Sequence, residues 1–165
     1  MDTDYYSSAE EKIMDLAGLI AWRAMLPKAC RVVATNGCFD ILHPGHIYLL
    51  EQARTEGEFV VVGVNSDASV RQLKGPTRPV NSQHDRAAVI AALEAVDIVY
   101  IFDDLRATSF LQHARPHVWV KGGDYTMETL DAGEREAALG MNCVIRLVRP
   151  VPNVSTTAIL KKAAT

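Results

Sequence analysis

The sequence predicts an α/β fold, a Rossmann-like doubly wound sandwich built on a five-stranded parallel sheet. Five short runs of apolar and β-branched residues recur along the chain, and helical patterns lie between them. The runs are apolar almost throughout, which is typical of parallel strands that are buried on both faces. Because strands and helices alternate, right-handed crossovers are expected to place helices on both sides of the sheet.

The predicted elements follow one another along a chain of 165 residues. An amphipathic helix is expected first, over 9–26, ending near Pro27. The strands are expected at RVVAT (31–35), FVVVGV (59–64), DIVYIF (97–102), HVWVK (117–121) and CVIRLV (143–148). Further helices are expected at 46–56, 83–94, 105–114, 134–139 and after Ser155. At this length, and with 48% hydrophobic residues, we predict one domain over 1–165, with a helical lead (1–29) and an α/β core (30–165).

Composition and charge narrow the range of partners. The formal net charge of −3 and the pI near 5.9 provide no general attraction to polyanions, so we expect neither nucleic acid nor a membrane as a partner. Cys30, Cys38 and Cys143 are odd in number and lack C-x-x-C spacing, which argues against a disulfide framework. The N-terminal segment MDTDYYSSAEEK is acidic and polar, unlike a secretory signal, and we expect a cytoplasmic protein that acts on small molecules.

The loops that follow the strands are the expected location of the site, since open parallel sheets bind ligands beyond the carboxyl ends of their strands. The longest of these loops are expected at 65–81 and 122–133. The sequence has no G-x-x-x-x-G-K-[ST], and its first strand does not lead into G-x-G-x-x-G. An ordinary P-loop kinase or dinucleotide dehydrogenase is therefore not expected.

The stretch ATNGCFDILHPGHIYLLEQAR, residues 34–54, offers another way to bind phosphate. Pro44 suits the first turn of a helix, which places His43 near the N-cap and His46 one turn later on the same face. Both imidazoles would then converge beside the free N–H groups and the positive end of the helix dipole. Gly37 and Gly45 would let a bulky ligand approach the backbone closely.

Two other interpretations of this stretch stay open. His43 and His46 could be no more than a helix cap and a surface histidine. Cys38, Asp40 and the two histidines could instead bind zinc, although their spacing is not that of a common zinc module. In an extended segment Cys38 and Asp40 share one face, whereas the histidines lie beyond the turn. We favour the phosphate site and predict no metal ligands.

Several segments together resemble the nucleotidyltransferase superfamily that carries the H-x-G-H signature and, within it, the adenylyltransferase part of bacterial ADP-heptose synthases. They are GCFDILHPGHIYLLEQAR (37–54), VGVNSD (62–67), LKGPTRPV (73–80), ALEAVDIV (92–99), VKGGDY (120–125) and VSTTAILKK (154–162). The resemblance implies transfer of AMP from ATP to D-glycero-β-D-manno-heptose 1-phosphate, with release of pyrophosphate, for lipopolysaccharide core biosynthesis. It also implies Mg²⁺ bound with ATP, a homodimer and a separate heptose kinase upstream.

The implied chemistry is compatible with the residue types present. The attacking phosphate monoester is already anionic at neutral pH, because its second pKa is about 6, so no general base is required. What the reaction needs is positive charge and hydrogen-bond donors around the α-phosphate and the departing pyrophosphate. We therefore expect direct in-line displacement without a covalent intermediate.

The resemblance assigns roles to residues of each expected loop. The catalytic residues implied are His43, His46, Lys74 and Arg86. The nucleotide site is expected to comprise Asn36, Gly37, Phe39, Asp40, Gly45, Lys121, Gly122, Gly123, Asp124, Ser155, Thr156 and Thr157. The sugar phosphate is expected to bind Asp67, Lys74 and Arg78.

Local signals accompany some of these assignments. Ser82 and Asp85 form a capping box, which would fix Arg86 in the first turns of a helix and point it back toward the loop. Ser155 has N-cap chemistry, and Asn153, where the superfamily often has glycine, tolerates the left-handed conformation. The simpler interpretations are that Ser155 is only a cap, that Gly-Gly-Asp at 122–124 is only a turn, and that the loop cations are only a solvated face.

Other functions remain as alternatives. A glycerol 3-phosphate cytidylyltransferase-like enzyme would share H-x-G-H and the S-T-T helix, although such enzymes usually have threonine at the position of Cys38. An enzyme resembling FAD synthetase is a weaker third candidate. From a different class, the chain could be a nucleotide-binding protein without catalysis, or a metal-binding protein.

Overall fold

The computed structural model describes residues 9–164, which form a parallel sheet of six strands with helices on both faces. The strands are β1 (Ile13–Met14), β2 (Val32–Gly37), β3 (Phe59–Asn65), β4 (Ile98–Phe102), β5 (Val118–Gly122) and β6 (Val144–Val148). Their order in the sheet is β1-β4-β3-β2-β5-β6, and every pair is parallel. The Rossmann-like α/β fold is thus confirmed, but the sheet has six strands rather than the five predicted.

A 3-10 turn at Glu10–Lys12 precedes the first strand, and seven α-helices are found among the described residues. They are α1 (Leu16–Met25), α2 (Pro44–Thr55), α3 (Asp67–Lys74), α4 (Gln83–Ala91), α5 (Thr108–Ala114), α6 (Ala132–Gly140) and α7 (Thr156–Ala163). None of the helices within 9–164 combines the length and the apolar character needed to cross a bilayer.

The extra strand comes from the segment predicted as one continuous helix over 9–26, and that prediction is wrong. Ile13 and Met14 pair with Val99 and Tyr100 of β4. A new helix starts only after Asp15, whose side chain caps it by accepting a hydrogen bond from the N–H of Gly18 at 2.7 Å. A helix through this point would forfeit both the cap and the pairing with β4. The first eight residues of the predicted lead lie outside the described part of the chain.

A second difference is α3, which lies inside the loop predicted at 65–81. The side chain of Ser66 accepts a hydrogen bond from Ser69 and caps the helix, whereas Gly75, at φ 101°, ends it. Val70 packs fully buried on the inner side of this helix. The other predicted strands and helices are present, with ends that differ by a few residues.

The helices divide between the two faces of the sheet. Leu50 of α2 and Ile90 of α4 pack with valines of one face, including Val60 and Val62. The other face carries α1, α5 and α6, and its cluster includes Leu19, Phe110, Leu111, Ala138 and Trp119. Successive strand residues thus point to opposite layers, as expected for strands buried on both sides.

The strand order reverses beside β2, and this reversal locates the site. The chain proceeds from β2 outward through β3 to β4, and then crosses back to place β5 on the opposite side of β2. The carboxyl ends of β2 and β5 therefore feed helices on opposite faces of the sheet and leave a crevice between them. Ligands of open α/β sheets bind in such a crevice.

Candidate functional site

A cavity of about 420 Å³ opens at this crevice, at the carboxyl edge of the sheet. Most of the residues predicted for the site line it, namely Asn36, Gly37, Phe39, Asp40, His46, Lys74, Arg78, Lys121, Gly122, Ser155, Thr156 and Thr157. A neighbouring cavity of about 220 Å³ is lined by His43, Gly45 and Gly123, and shares His46, Leu49, Gly122 and Ser155 with the first. Three predicted residues, Asp67, Arg86 and Asp124, line neither cavity.

The two histidines stand at the N-terminus of α2, as the sequence predicted. His43 is the N-cap, and its Nδ1 accepts a hydrogen bond from the N–H of Gly45 at 3.1 Å. The imidazole rings of His43 and His46 are stacked, with centroids 3.8 Å apart and planes inclined by 19°. Because Nδ1 of His43 is an acceptor, the neutral ring carries its proton on Nε2 and can donate there to a ligand.

Burial makes both imidazoles less basic. It lowers the pKa of His43, and it lowers the pKa of His46 to about 4, with the neighbouring His43 adding to the effect. Nδ1 of His46 is buried and has no hydrogen-bond partner among the described residues. Both rings are consequently neutral near pH 7, and they offer hydrogen-bond donors to a phosphate rather than fixed positive charges.

Two glycines shape this part of the site by making room for protein side chains. A Cβ at Gly45 would lie 2.9 Å from Cε1 of His43, so a side chain there would displace the capping imidazole. A Cβ at Gly37 would lie 3.2 Å from the ring of Phe39, which has φ 47° and is buried. The sequence predicts that these glycines let a ligand approach the backbone, and Gly37 and Gly45 line the two cavities. They also let His43 and Phe39 fold against the backbone.

Asp40 holds the loop that covers one side of the cavity, residues 75–82, which we call the strap. Its buried carboxylate accepts hydrogen bonds from the N–H groups of Val80 and Asn81 and from Nε of Arg78. The side chain of Asn81 in turn donates to the carbonyl oxygen of Asp40 at 2.8 Å. Asp40 lines the cavity, but its charge is balanced by the strap, and Arg78 is brought to the cavity wall as a result.

Arg86 lies behind the strap and does not face the cavity. Its guanidinium is fully buried and donates to the carbonyl oxygens of Asn81 and Cys38 and, at 2.9 Å, to a carboxylate oxygen of Asp67. Ser82 caps α4 as predicted: its hydroxyl oxygen accepts from the N–H of Asp85 and its hydroxyl donates to the Asp85 carboxylate. Arg86 therefore lies in the first turns of α4, as expected. The side chain nevertheless joins the strap to the end of β2, because three acceptors surround it there.

The cavity has four cationic side chains on its wall. Three of them were predicted: Lys74 at the end of α3, Arg78 in the strap, and Lys121 on β5. Lys121 has its Nζ 3.6 Å from a carboxylate oxygen of Glu134 and lies over the rings of Trp119 and Tyr125. Arg106 was not predicted; it pairs with Asp131 at 3.2 Å. Four cations with only two lining carboxylates, Asp40 and Glu134, suit a polyanionic ligand.

Glu134 is a buried residue of the cavity wall that sequence reasoning missed. One of its carboxylate oxygens accepts from the N–H of Ala107, at the start of α5, at 2.8 Å, while the other faces Lys121. Burial lowers the pKa of Lys121, and Glu134 partly offsets this. Asp131 and Glu134 form a capping pattern that could have located Glu134 in the first turn of α6, but nothing local shows that its carboxylate turns inward.

The N-terminus of α7 also lines the cavity. Ser155 is its N-cap, and the hydroxyl oxygen accepts a hydrogen bond from the N–H of Ala158 at 3.1 Å. Asn153 adopts φ 61°, a left-handed conformation that asparagine tolerates better than most residues. Because Ser155, Thr156 and Thr157 all line the cavity, the unpaired N–H groups and positive dipole end of α7 are directed to the same space as those of α2.

The zinc interpretation finds little support in these contacts. The carboxylate of Asp40 already accepts from Arg78 and two backbone N–H groups, and Nδ1 of His43 already accepts from Gly45. Burial raises the pKa of the Cys38 thiol, which disfavours the thiolate that zinc requires. Over 9–164, no set of three or more histidine, cysteine or acidic side chains is placed to hold a metal ion.

Comparison with known proteins gives a family match over most of the chain. The cytidylyltransferase-like family model matches residues 34–162. The chain is 47% identical over 163 residues to the bifunctional protein HldE of Rhodopseudomonas palustris (strain BisA53), covering 96% of this chain and 32% of the relative. It is 45% identical over 146 residues to the protein of the same name from Caulobacter sp. (strain K31), covering 86% and 29%. The chain thus spans about a third of the length of these relatives.

Solved structures show the same architecture. The lipopolysaccharide core biosynthesis protein from Thermoplasma volcanium superimposes with a TM-score of 0.60 at 26% identity, covering 74% of this chain and 98% of that one. Pantoate-β-alanine ligase from Francisella tularensis has a TM-score of 0.59 at 15% identity, covering 92% and 76%, and at that identity supports the fold alone.

Proposed function

The chain belongs to the cytidylyltransferase-like family, and on this premise we propose that it is an adenylyltransferase that makes ADP-D-glycero-β-D-manno-heptose and pyrophosphate from ATP and D-glycero-β-D-manno-heptose 1-phosphate. The observation that carries the proposal is the convergence of two helix N-termini, α2 and α7, on one cavity with four cationic side chains in its wall. The similarity to HldE proteins and to a lipopolysaccharide core biosynthesis protein supports the choice of acceptor.

The triphosphate would bind between the two helix N-termini. His46 and the first turn of α2 would donate to the α-phosphate, while Ser155 and the first turn of α7 would donate to the departing phosphates. The cap at Ser155 uses its oxygen as an acceptor and leaves its proton free for donation. Lys121 would supply positive charge from the side of β5, where Glu134 fixes its ammonium group.

The sugar phosphate would bind on the strap side. Lys74 and Arg78 provide two cations there, and Asp40 fixes the direction of Arg78. The phosphate oxygen then attacks the α-phosphorus in line with the leaving pyrophosphate, and no protein group is required to remove a proton. Arg86 and Asp67 would act through the strap, as positioning residues behind it.

Mg²⁺ would accompany ATP in this proposal. The carboxylates that line the main cavity are already committed: Asp40 to the strap, and Glu134 to Lys121 and Ala107. The ion would therefore be held by phosphate oxygens and water rather than by a protein cage, which is common for Mg²⁺ with nucleotides. Its contribution would be to neutralise charge on the β- and γ-phosphates.

The proposal extends to partners and location. A separate heptose kinase would supply the sugar 1-phosphate upstream, and the matched HldE relatives are described as bifunctional. We also propose a homodimer and a cytoplasmic location, where ATP is available.

Pyrophosphate release, measured with each of the four common nucleoside triphosphates with and without the heptose phosphate, tests the proposal. Release only with ATP plus heptose 1-phosphate is the expected result. Activity only with CTP and glycerol 3-phosphate would overturn the assigned substrates in favour of a cytidylyltransferase, the alternative that the family match favours. No release with any pair would overturn the enzymatic proposal in favour of nucleotide binding alone.

A further inference from the structure

A second cavity, of about 340 Å³, lies at the opposite, amino-terminal edge of the sheet. Its polar wall consists of Arg23 on α1, Lys28 after that helix, His113 and Arg115 at the end of α5, and His117 just before β5. We call it the basic cavity. Its size falls within the range of about 300–1,000 Å³ that is usual for small-molecule sites.

The charge in the basic cavity is unbalanced. No acidic side chain lines it, although the chain as a whole carries a net charge of −3. Burial and then the charge of Arg115 lower the pKa of Arg23. Burial, followed by Arg23 and Arg31, lowers the pKa of His117, and Glu58 offsets this only in part. The cations therefore repel one another, and an anion placed among them would relieve that repulsion.

The hydrogen-bonding pattern leaves several donors available. Arg23 uses Nε and Nη2 to bind the carbonyl oxygens of Ala114 and Arg115 at the end of α5, which fixes its guanidinium. Within 9–164, its Nη1, the ammonium of Lys28 and the guanidinium of Arg115 form no hydrogen bond or ion pair to protein. The ring of His113 also lines the cavity; its Nδ1 is buried and forms no hydrogen bond among the described residues.

We propose that the basic cavity is a second ligand site, separate from the nucleotide cavity, and that it binds a small phosphorylated metabolite with a single phosphate monoester group. Three cationic side chains can surround one phosphate, and the two imidazoles can hydrogen-bond its oxygens or an adjoining hydroxyl. The apolar residues Ile20 and Leu26 in the wall would contact the carbon skeleton of such a compound. A nucleic acid fits less well, because the donors line a concavity rather than an extended surface.

The basic cavity is joined to the nucleotide cavity by two strands. Nδ1 of His117 accepts a hydrogen bond from the N–H of Val32 at 2.9 Å, which ties the start of β5 to the start of β2. The same two strands end in Asn36 and Gly37, and in Lys121 and Gly122, on the nucleotide cavity. The structure thus places the second site at the far ends of the strands that carry the reaction site.

Titration of the full chain with glucose 6-phosphate tests this proposal, with the side-chain NMR signals of His113 and His117 as local reporters. These signals are assigned with His113→Gln and His117→Gln, at constant pH and ionic strength. A saturable shift of these signals is expected with glucose 6-phosphate and not with glucose or with added chloride. The titration itself uses the wild-type protein, so it does not depend on the folding of the Lys28 and Arg115 variants described below.

Paired variants then localise the binding. Lys28→Ala combined with Arg115→Ala should raise the apparent Kd about tenfold or more, since charge-assisted hydrogen bonds are lost. Arg146→Ala, which removes an exposed arginine on β6, and Lys74→Ala, in the nucleotide cavity, should leave the Kd unchanged. A shift that does not saturate, that chloride reproduces, or that the double variant leaves intact would overturn the proposal without bearing on adenylyl transfer.

Discussion

The two sides of the nucleotide cavity hold their functional groups in different ways. On the side of α2 and α7, the functional groups are held by helix caps formed within a few residues. His43 accepts a hydrogen bond from the N–H of Gly45, and Ser155 accepts one from the N–H of Ala158. On the strap side, the contacts join distant parts of the chain. Asp40 binds residues 38 to 41 positions later, and Arg86 binds Cys38, 48 positions earlier.

This difference predicts that substitutions on the two sides have different effects on the reaction and on the stability of the fold. At a helix N-terminus the backbone N–H groups form the anion site, and the side chains there are held by contacts within a few residues. Loss of one such side chain should therefore leave the fold in place and affect the reaction through the donor that it removes. The strap depends on buried charges, so loss of one of them should destabilise the fold as well. Four variants test this contrast, in order of expected effect.

His46→Ala should have the largest effect, because it removes a donor from the position where charge develops. We expect turnover to fall by about 10²–10³-fold, as for the loss of one oxyanion donor, with little change in melting temperature. His84→Ala, at an exposed histidine on α4, is the matched control and should retain activity. Turnover near that of the wild type in His46→Ala would refute the role of α2.

Arg86→Met should follow, with its effect on stability. The substitution leaves Asp67 and two carbonyl oxygens without the buried donor that they share, and about 3 kcal/mol of unfolding free energy should be lost. Urea denaturation measures this loss, and Arg71→Met, at an exposed arginine on α3, is the control. If both variants were equally stable, Arg86 would not be holding the strap.

Lys74→Ala should weaken use of the sugar phosphate without unfolding the protein. Because an exposed cation on the cavity wall is lost, kcat/KM for heptose 1-phosphate should decrease about 10- to 100-fold, while the KM for ATP stays near its original value. Steady-state kinetics with each substrate varied in turn separates an effect on the sugar phosphate from an effect on ATP. A change confined to the KM for ATP would show that Lys74 belongs to the nucleotide and that the acceptor lies elsewhere.

The fourth effect appears only in acid, and at neutral pH it is the smallest. Burial lowers the pKa of His46 from 6.5 to about 4, so between these values the unfolded chain binds a proton that the folded chain does not. The contribution of His46 to the free energy of unfolding is therefore fully present above pH 6.5, and it is lost as the pH falls toward 4. His46→Asn should therefore lose less stability than the wild type over this interval, and His84→Asn should follow the wild type. Parallel curves for wild type and His46→Asn would contradict the assignment.

The same contrast between local and distant contacts determines what the sequence could predict of the fold. Long valine-rich runs such as 59–64 identify buried strands by themselves. Ile13 and Met14 carry no such signal, since two residues become a strand only because β4 lies beside them. The helix α3 was missed because Ser66 and Gly75 mark its ends within a polar stretch that resembles a loop.

In the site, His43, His46 and Ser155 were predictable because capping depends on neighbours in sequence. The hydrogen-bond partners of Arg86 and Glu134 could not be predicted in this way. Arg86 has the pattern of a surface cation and Glu134 that of an exposed helical acid, yet both are buried by tertiary contacts. Their positions follow from where strand ends, strap and helices meet, which no local spacing encodes.

The central claim is that ATP and the sugar phosphate occupy one cavity together and react in a single displacement. The direct test uses ATP labelled with sulfur at one diastereotopic position of the α-phosphate, together with heptose 1-phosphate, and determines the configuration at phosphorus in the product. In-line attack without a covalent intermediate predicts inversion. Retention would require two displacements and a nucleotidylated protein side chain, and would contradict the account.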